Sequence, residues 1–348
     1  MINRRSLLGG LAIAATTTSF LVRPTPAAST PTQRKPARLQ PGDSVGIFSP
    51  AGATFRRTDL DVVQDAVRGL GLVPVVAPHA LERYGYLAGS DRDRADDVNE
   101  LFANPAIAAL LPIRGDWGCA RILPYLDYEL IRENPKIVVG FSDLTALTLG
   151  IYAQTGLVTF HGPNGLAAWR SDQVEAFRSI LFNGEARRFE NPLLGEDQSR
   201  LMRVSGRVQT ITPGRTRGRL VGGNLSVLSG IVGSPYLPDL NGAILFLEDV
   251  AEPPYRVDRM LTQLKLAGAL EGLAGFVFGQ CTRCNPGSDY GSLTLEEILN
   301  DHIQPLGIPA WSGAWIGHVE PMWTLPIGVE VAIDATAGTI QMLEGAIA

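Results

Sequence analysis

Short apolar runs alternate with segments of helical periodicity between residues 42 and 160 of this chain. Apolar runs bounded by glycine and proline predict buried strands, whereas apolar side chains three and four positions apart predict amphipathic helices. The predicted strands cover 42–50, 73–77, 108–113, 137–141 and 158–160. Strands and helices that alternate at these distances form a parallel sheet with helices on both faces. We therefore predict an α/β protein whose N-terminal domain, residues 38–167, holds a parallel sheet of the flavodoxin or Rossmann kind.

A sharp turn with the sequence Gly-x-Ser-Asp links the run 137–141 to the next helical segment and carries Ser142. On such a turn, a serine hydroxyl stands above the strand end, and the first amides of the helix point toward any oxyanion formed there. Ser142 is therefore a candidate nucleophile. The full pattern Gly-x-Ser-x-Gly is absent because Leu144 occupies the place of its second glycine. A serine that only caps the helix would give the same local sequence.

The amino terminus has the pattern of a twin-arginine export signal. Arg4 and Arg5 precede an apolar stretch at 9–22, and a segment rich in proline and alanine follows at 24–28. A membrane-spanning anchor, the alternative, requires about 20 strongly apolar residues, whereas hydroxyl-bearing residues at 16–19 interrupt this stretch. We expect removal of residues 1–28, a mature protein that is periplasmic or otherwise exported by the twin-arginine route, and no stable membrane anchor.

The net charge limits the classes of partner, and the chain length indicates the number of domains. Removal of Arg4, Arg5 and Arg23 lowers the 30 basic side chains to 27 against 35 acidic ones, a net charge of −8. This balance disfavours nucleic acid as a partner. The remaining chain of about 320 residues exceeds the usual size of one domain. Residues 168–204 lack sustained periodicity, which predicts a linker, and 205–348 then form a smaller C-terminal domain of α/β or β-rich kind.

A serine nucleophile requires a histidine base and a carboxylate that orients it. His161 and His318 each follow an apolar segment and adjoin a glycine. His302 lies in a predicted polar helix and is expected at the surface, and His79 lies in a loop. His318 is the favoured base because its glycine- and proline-rich loop would hold an imidazole rigidly. Glu248 directly follows an apolar strand, so its carboxylate is expected at a sheet edge near the junction of the domains.

The three cysteines, Cys119, Cys281 and Cys284, are too few for a disulfide framework. An oxidising compartment could join the closely spaced Cys281 and Cys284. A zinc site of the deaminase type is disfavoured, because His318 and Glu320 follow the cysteine pair instead of preceding it. The proline that precedes the first cysteine in that pattern is also absent. We expect neither a metal nor a cofactor.

Several motifs, in order and at compatible spacing, resemble those of the LD-carboxypeptidases. These serine peptidases remove the terminal D-alanine from peptidoglycan tetrapeptides, and one branch of the family cleaves microcin-type nucleotide peptides. The motifs are Arg114-Gly115-Asp116-Trp117-Gly118, Gly140-Phe141-Ser142-Asp143, Gly222-Gly223-Asn224-Leu225, Phe246-Leu247-Glu248-Asp249 and the loop from Gly317-His318 to Leu325-Pro326-Ile327-Gly328. The resemblance extends from about residue 42 to residue 331.

The resemblance implies a Ser-His-Glu triad in which Ser142 is the nucleophile, His318 its base and Glu248 the carboxylate that orients the base. The implied reaction is hydrolysis of the L,D-amide bond before the terminal D-alanine, through an acyl-enzyme and without a cofactor. The implied substrate is a peptidoglycan-derived tetrapeptide or muropeptide. The resemblance also implies a homodimer.

The oxyanion hole implied by the resemblance contains one departure from the family pattern. Its donors would be the backbone amide of Asp143 and an amide of the loop at Gly115 and Asp116. Similar proteins commonly carry a second glycine at the position of Asp116. An aspartate tolerates a positive φ angle there at some cost. Its carboxylate would oppose a developing oxyanion unless it points away.

Candidates for substrate binding come from the same motifs and from the residues around them. They are Arg114 and Arg256 for the terminal carboxylate, Trp117 and Trp323 for the walls of the cleft, and Asn224. Two alternative functions stay open. A nucleotide-peptide hydrolase of the microcin-immunity branch would be favoured by an aromatic-rich segment between the domains, where this chain has Trp169, Phe177, Phe182 and Phe189. A wall-peptide receptor with a dead site is suggested by Asp116.

Overall fold

The computed structural model describes residues 32–193, 195, 197–204, 206–285 and 291–348. The predicted export signal, residues 1–28, therefore lies outside the described residues. Within the described ranges the helices are α1 Arg57–Gly69, α2 Asp91–Ala103, α3 Cys119–Ile122, α4 Tyr128–Glu133, α5 Leu144–Thr155, α6 Ser171–Leu181, α7 Leu225–Gly230, α8 Pro254–Leu266 and α9 Leu295–Ile303, with short 3₁₀ turns at Leu123–Tyr125, Asp197–Ser199 and Gln304–Leu306.

Two sheets organise this part of the chain. The strands are β1 Ser44–Phe48, β2 Val73–Val76, β3 Ile107–Pro112, β4 Ile137–Gly140, β5 Thr159–His161, β6 Arg188–Phe189, β7 Gln209–Thr212, β8 Arg215–Asn224, β9 Ala243–Val250, β10 Gly275–Thr282, β11 Ala310–Ser312, β12 Leu325–Ile327, β13 Glu330–Asp334 and β14 Thr339–Met342. The first sheet has the order β12-β5-β4-β3-β1-β2. The second has the order β6-β14-β13-β8-β9-β10-β11-β7.

The first sheet is parallel from β5 to β2, as the alternation of strands and helices predicts. Only β12, a C-terminal segment, joins it antiparallel, beside β5. Every residue of β4 is buried, because helices cover both faces of the sheet. The mixed α/β class predicted from the sequence is confirmed.

The second sheet combines a parallel centre with antiparallel edges. Strands β8, β9, β10 and β11 run parallel, and β13, β14, β6 and β7 add to them antiparallel. Strands β13 and β14 form a hairpin near the carboxyl terminus. Strand β9 lies between β8 and β10, and its first seven residues are all buried, which places Glu248 inside the sheet instead of at its edge.

Helix α5 joins the two sheets. Ten of its twelve residues are buried, because it packs against the first sheet and also against β8 of the second. In its first turn, the hydroxyl of Thr145 accepts a hydrogen bond from the backbone amide of Asn224 at 2.9 Å. A side chain on Gly223 would lie 2.5 Å from that hydroxyl, so only glycine permits this close approach.

Two segments differ from the expectations. The predicted linker 168–204 contains α6, whose residues Phe177, Ile180 and Leu181 are buried at helical spacing. The polar residues between them obscured the periodicity. Strand β8 was not predicted because it contains several glycines, which are uncommon in strands. In the structure these glycines allow a neighbouring backbone to approach closely, as Gly222 does beside the carbonyl of Phe246.

Cys281 and Cys284 form a disulfide at the end of β10, with their Cα atoms 5.4 Å apart. Cys119 is a buried free thiol at the start of α3. Among the described residues, no helix combines the length and apolar character needed to cross a membrane.

The close contact between β8 and β9 gives a stability prediction. A Cβ on Gly222 would overlap the carbonyl oxygen of Phe246, so Gly222→Ala should lower the free energy of unfolding by more than about 3 kcal/mol. In the described part of the chain, nothing lies within 4 Å of such an atom on Gly69 in α1. Gly69→Ala should therefore be neutral or stabilising by up to about 1 kcal/mol. Urea unfolding measures both. Equal effects of the two substitutions would contradict the strand contact.

Candidate active site

A cavity of about 780 Å³ opens at the carboxyl ends of the first-sheet strands. Ligand sites of parallel sheets lie at this edge. The loops after β3, β4 and β5 contribute Arg114, Ser142 and Asn164 to the lining. The loop 317–322, which precedes β12, closes the opposite wall and contributes His318. The cavity therefore brings together Ser142 and His318, which are 176 positions apart in the sequence.

Ser142 stands on a strained turn between β4 and α5. Its φ angle is 63°, in the left-handed region that residues other than glycine rarely adopt. The turn is held on its strand side by Asn164, whose Oδ1 accepts the Phe141 amide at 3.1 Å and whose Nδ2 donates to the Phe141 carbonyl at 3.4 Å. On its helix side, the Ser142 carbonyl accepts the Thr145 amide at 3.0 Å. Asp143, not Ser142, is the N-cap residue of α5, and its side chain makes no capping hydrogen bond. The strained backbone of Ser142 therefore favours a nucleophile over a simple cap.

The loop after β3 lies against this turn, at the place where the resemblance implies an oxyanion hole. A Cβ on Gly115 would lie 3.3 Å from the amide nitrogen of Asp143 and 3.2 Å from the Ser142 Cβ. Any side chain at Gly115 would therefore crowd the space in front of that amide. A tetrahedral oxyanion requires such open backbone donors.

Asp116 has the positive φ angle that its place in the family motif led us to consider, 77°. Its carboxylate forms an ion pair with Arg114, at 2.5 Å from Asp116 Oδ2 to Arg114 Nε, and it packs against Gly52, where a Cβ would come within 2.5 Å of the same oxygen. The guanidinium thus balances the carboxylate charge, which reduces its opposition to an oxyanion.

Glu248 is fully buried near the end of β9. Its Oε2 lies 2.9 Å from Nδ1 of His318, and its Oε1 accepts the side-chain amide of Asn224 at 3.2 Å. A Cβ on Gly317 would overlap Glu248 Oε2, so the glycine beside the histidine permits the contact between the two side chains. A buried carboxylate is stable only when such partners satisfy it.

His318 is oriented from three directions. Glu248 engages Nδ1, which leaves Nε2 as the ring nitrogen able to serve a substrate or a nucleophile. The hydroxyl of Thr282 donates to the His318 carbonyl at 2.9 Å. The ring of Phe141, the residue before Ser142, meets the imidazole edge to face with centroids 4.9 Å apart. The imidazole therefore has a fixed position beside the turn that carries Ser142.

Two further carboxylates flank this arrangement. Burial raises the pKa of Asp143 to about 6, although its carboxylate accepts the Cys119 amide at 2.7 Å. Burial likewise raises the pKa of Asp249 to about 6. Asp249 accepts hydrogen bonds from the Ser226 amide at 3.0 Å and from Asn224 Nδ2 at 3.1 Å. These contacts fix the start of α7 to the end of β9.

His161 is buried and does not line the cavity. Its ring packs edge to face on Phe246, with centroids 5.3 Å apart, and on Phe141 at 6.2 Å. Burial lowers the pKa of His161 to about 4, so the imidazole is neutral near pH 7. Its Nε2 has no hydrogen-bond partner among the residues that the structure describes. The structure therefore separates the two candidate bases and favours His318.

The other two histidines also lie away from the cavity lining. His302 is buried, not at the surface as we expected, since it lies on the face of α9 that packs against α8, where its Nε2 meets Asp258 at 2.7 Å. His79 pairs with the buried Asp97.

The substrate-binding candidates divide in the structure. Arg114 lines the cavity, whereas Arg256 pairs with Glu252 outside the cavity lining. Trp117 stands beside the cavity, 64% exposed. Trp323 is buried against Phe189 and faces a separate, smaller cavity. Asn224 is buried and bonded to Glu248, so it holds the carboxylate instead of lining the cavity.

Three supporting residues were missed or misassigned from the sequence. Asn164 holds the turn, Thr145 connects α5 to β8, and Asn224 connects β8 to Glu248. The sequence offers a weak signal for Asn164, since the turn-forming pair Gly162-Pro163 precedes it directly after a predicted strand. Thr145 and Asn224 act between elements far apart in the chain, which periodicity does not reveal.

Two family models match the chain. The LD-carboxypeptidase N-terminal domain matches residues 45–162, and the LD-carboxypeptidase C-terminal domain matches residues 217–333. A probable murein peptide carboxypeptidase of Bacillus subtilis is 36% identical over 311 residues, covering 89% of this chain and 95% of the relative.

Solved structures agree with these matches. The structure of the microcin C7 self-immunity protein MccF without ligand superimposes with a TM-score of 0.80 at 30% identity, covering 90% of this chain and 100% of that one. The curated MccF relative is from Escherichia coli. The structure of the muramoyltetrapeptide carboxypeptidase of Oxalobacter formigenes superimposes with a TM-score of 0.72 at 25% identity. The matched region covers 86% of this chain and 97% of that one.

The environment of His161 gives a prediction about pH. Unfolded histidine takes up a proton below its ordinary pKa of 6.5, whereas folded His161 stays neutral down to about 4. Stability from this residue is therefore complete above pH 6.5 and is lost as the pH falls, by about 2 kcal/mol at pH 5. In His161→Gln this loss is absent. The gap in unfolding free energy between wild type and variant should shrink by about 2 kcal/mol from pH 7.5 to pH 5.

Denaturant unfolding at the two pH values measures this gap. The raised pKa values of Asp143 and Asp249 act in both proteins, so their contributions largely cancel in the comparison. A gap that does not change with pH would show that His161 is not held neutral in the folded protein.

Proposed function

The chain belongs to the LD-carboxypeptidase family and is a serine-type carboxypeptidase, and we propose that it removes the terminal D-alanine of a peptidoglycan-derived tetrapeptide through Ser142, His318 and Glu248. One observation carries the proposed triad. A buried carboxylate orients a histidine in the same cavity where a serine occupies a strained strand-to-helix turn. The name of the Oxalobacter formigenes neighbour supports the tetrapeptide substrate.

In the first half of the proposed reaction, His318 Nε2 removes the hydroxyl proton as Ser142 Oγ attacks the carbonyl of the third residue of the peptide. The tetrahedral oxyanion accepts hydrogen bonds from the Asp143 amide and from an amide of the loop at Gly115 and Asp116. Glu248 stabilises the imidazolium through Nδ1. His318 then gives its proton to the D-alanine nitrogen, the amide bond breaks, and an acyl ester remains on Ser142.

In the second half, His318 removes a proton from water, and the resulting nucleophile attacks the ester carbonyl. The second tetrahedral intermediate uses the same amide donors. Its collapse breaks the ester bond, and His318 returns the proton to Ser142 Oγ. The products are D-alanine and a tripeptide with a free carboxylate, so the reaction consumes one water and requires no cofactor.

The aromatic residues of 168–204 disfavour a nucleotide-peptide substrate. Trp169 packs on Phe177 with ring centroids 5.3 Å apart and donates its indole hydrogen to the Gly165 carbonyl at 2.9 Å. Phe182 and Phe189 are buried. None of these four rings lines the cavity, so none is placed to stack on a nucleobase there. The wall-peptide receptor is disfavoured as well, since Arg114 compensates Asp116 and the proposed triad is complete.

We further propose that the protein acts outside the cytoplasm after twin-arginine export. The support is the pattern of residues 1–28, together with the disulfide between Cys281 and Cys284, since disulfides persist in oxidising compartments. Cell-wall peptides are accessible in that location.

The central activity prediction concerns the nucleophile. Incubation of mature protein with a tetrapeptide ending in D-alanine should yield the tripeptide and free alanine by mass spectrometry. Ser142→Ala and His318→Gln should each lower kcat by at least about 1000-fold, because each removes a member of the triad. The exposed Ser292 offers a matched control, and Ser292→Ala should keep full activity.

Full hydrolysis by Ser142→Ala would contradict the mechanism. Cleavage of a nucleotide peptide but not of the tetrapeptide by the wild type would instead assign the chain to the activity of the microcin-immunity branch.

The export prediction uses the paired arginines. Replacement of Arg4 and Arg5 by lysine keeps the charge but removes the twin-arginine motif, so the variant should accumulate in the cytoplasm with its signal uncleaved. Fractionation and the mass of the mature N-terminus measure the outcome. Unchanged export of the double variant would contradict this route.

A further inference from the structure

Four aromatic side chains stand exposed on loops beside the active-site cavity. Two of them, Phe55 and Trp117, directly adjoin residues that line it. Phe55 is 63% exposed, Tyr84 70%, Tyr86 60% and Trp117 64%. We call these four residues the aromatic rim. Aromatic rings are usually largely buried, and a cluster of exposed ones marks a surface that binds something.

The loops of the rim are joined to one another and to the cavity. Tyr86 and Trp117 meet edge to face, with ring centroids 6.2 Å apart. The Ala53 amide donates to the Tyr86 carbonyl at 2.8 Å. The Gly52 amide donates to the Gly115 carbonyl at 2.9 Å. The rim is therefore preformed and continuous with the loop that faces Ser142.

The distance from the nucleophile matches a part of the proposed substrate. Trp117 is two residues after Gly115, where a Cβ would lie 3.2 Å from the Ser142 Cβ. The Trp117 Cα is thus within about 12 Å of Ser142, given about 3.8 Å between successive Cα atoms. In a muropeptide, the sugar is attached before the first residue and the cleaved bond follows the third. Three extended residues span about 10 Å, which reaches the rim.

The chemistry of the rim fits a sugar ring. Its rings offer flat apolar faces, and the phenol hydroxyls of Tyr84 and Tyr86 and the indole N–H of Trp117 offer hydrogen-bonding edges. The guanidinium of Arg83 adds further donors 5.5 Å from the centre of the Phe55 ring. A pyranose has the complementary form, with apolar C–H faces and hydroxyl or acetamido groups at its edge.

We propose that the aromatic rim is a subsite for the amino sugar of a muropeptide, so that this carboxypeptidase prefers glycan-bearing tetrapeptides to free ones. The inference rests on the proposed function. The alternative occupant, a second copy of the chain, would cover the same rings and is distinguished by the experiment.

The experiment compares kcat/KM for a free tetrapeptide and for the same tetrapeptide on its N-acetylglucosaminyl-N-acetylmuramyl disaccharide. Wild type should favour the disaccharide substrate by about 10-fold or more, equivalent to one good stacking contact. Tyr84→Ala/Tyr86→Ala should lose this preference while it keeps the rate on free tetrapeptide within about twofold. Tyr86→Phe should retain the preference because the stacking face remains.

Tyr255 provides a matched control, since it is similarly exposed, at 59%, but lies on α8 instead of on the loops that carry the aromatic rim. Tyr255→Ala should behave as wild type on both substrates. Equal rates of wild type on the two substrates, or equal losses on both in the double variant, would overturn the subsite. Sedimentation of the wild type as a dimer and of Tyr84→Ala/Tyr86→Ala as a monomer would also overturn the subsite, because the rim would then bind a second copy of the chain. Failure of the proposed function gives a different result, since wild type would then cleave neither substrate.

Discussion

The buried carboxylate of Glu248 is the constraint on which the rest of the site depends. A fully buried charge destabilises a fold by several kcal/mol unless other groups compensate it. Here His318 and Asn224 supply the compensation, and they come from a loop before β12 and from the end of β8. Because β12 belongs to the first sheet while β8 and β9 belong to the second, the carboxylate is satisfied only when both sheets have assembled.

A second chain of contacts ties the nucleophile to the same carboxylate. Helix α5 begins two residues after Ser142, and the hydroxyl of Thr145 in its first turn accepts a hydrogen bond from the backbone amide of Asn224. The side chain of Asn224 in turn donates a hydrogen bond to Glu248. Asn164 holds the strand side of the turn. The strain of a positive φ at Ser142 is thus supported by packing from both sheets. Such fixed geometry is what positions catalytic groups before substrate arrives.

Local patterns predicted much of this arrangement. The alternation of strands and helices gave the first sheet, and the family motifs pointed to Ser142, Glu248 and His318, which lie together in or beside one cavity. Contacts between distant segments escaped prediction. Asn224, at the end of β8, donates a hydrogen bond to Glu248 of β9. Polar residues interrupt the buried face of α6, and the C-terminal strand β12 pairs with β5 in the first sheet. Each of these features depends on tertiary packing, which periodicity does not encode.

The most direct test of the account is covalent labelling of the nucleophile. Mature protein treated with an alkyl fluorophosphonate would be analysed by intact mass and by peptide mapping, with His318→Gln as the comparison. The account predicts one adduct per chain, located on Ser142, and a much slower reaction in the variant because the base is absent. An adduct on another residue, or equal labelling of both proteins, would contradict a hydroxyl activated by His318.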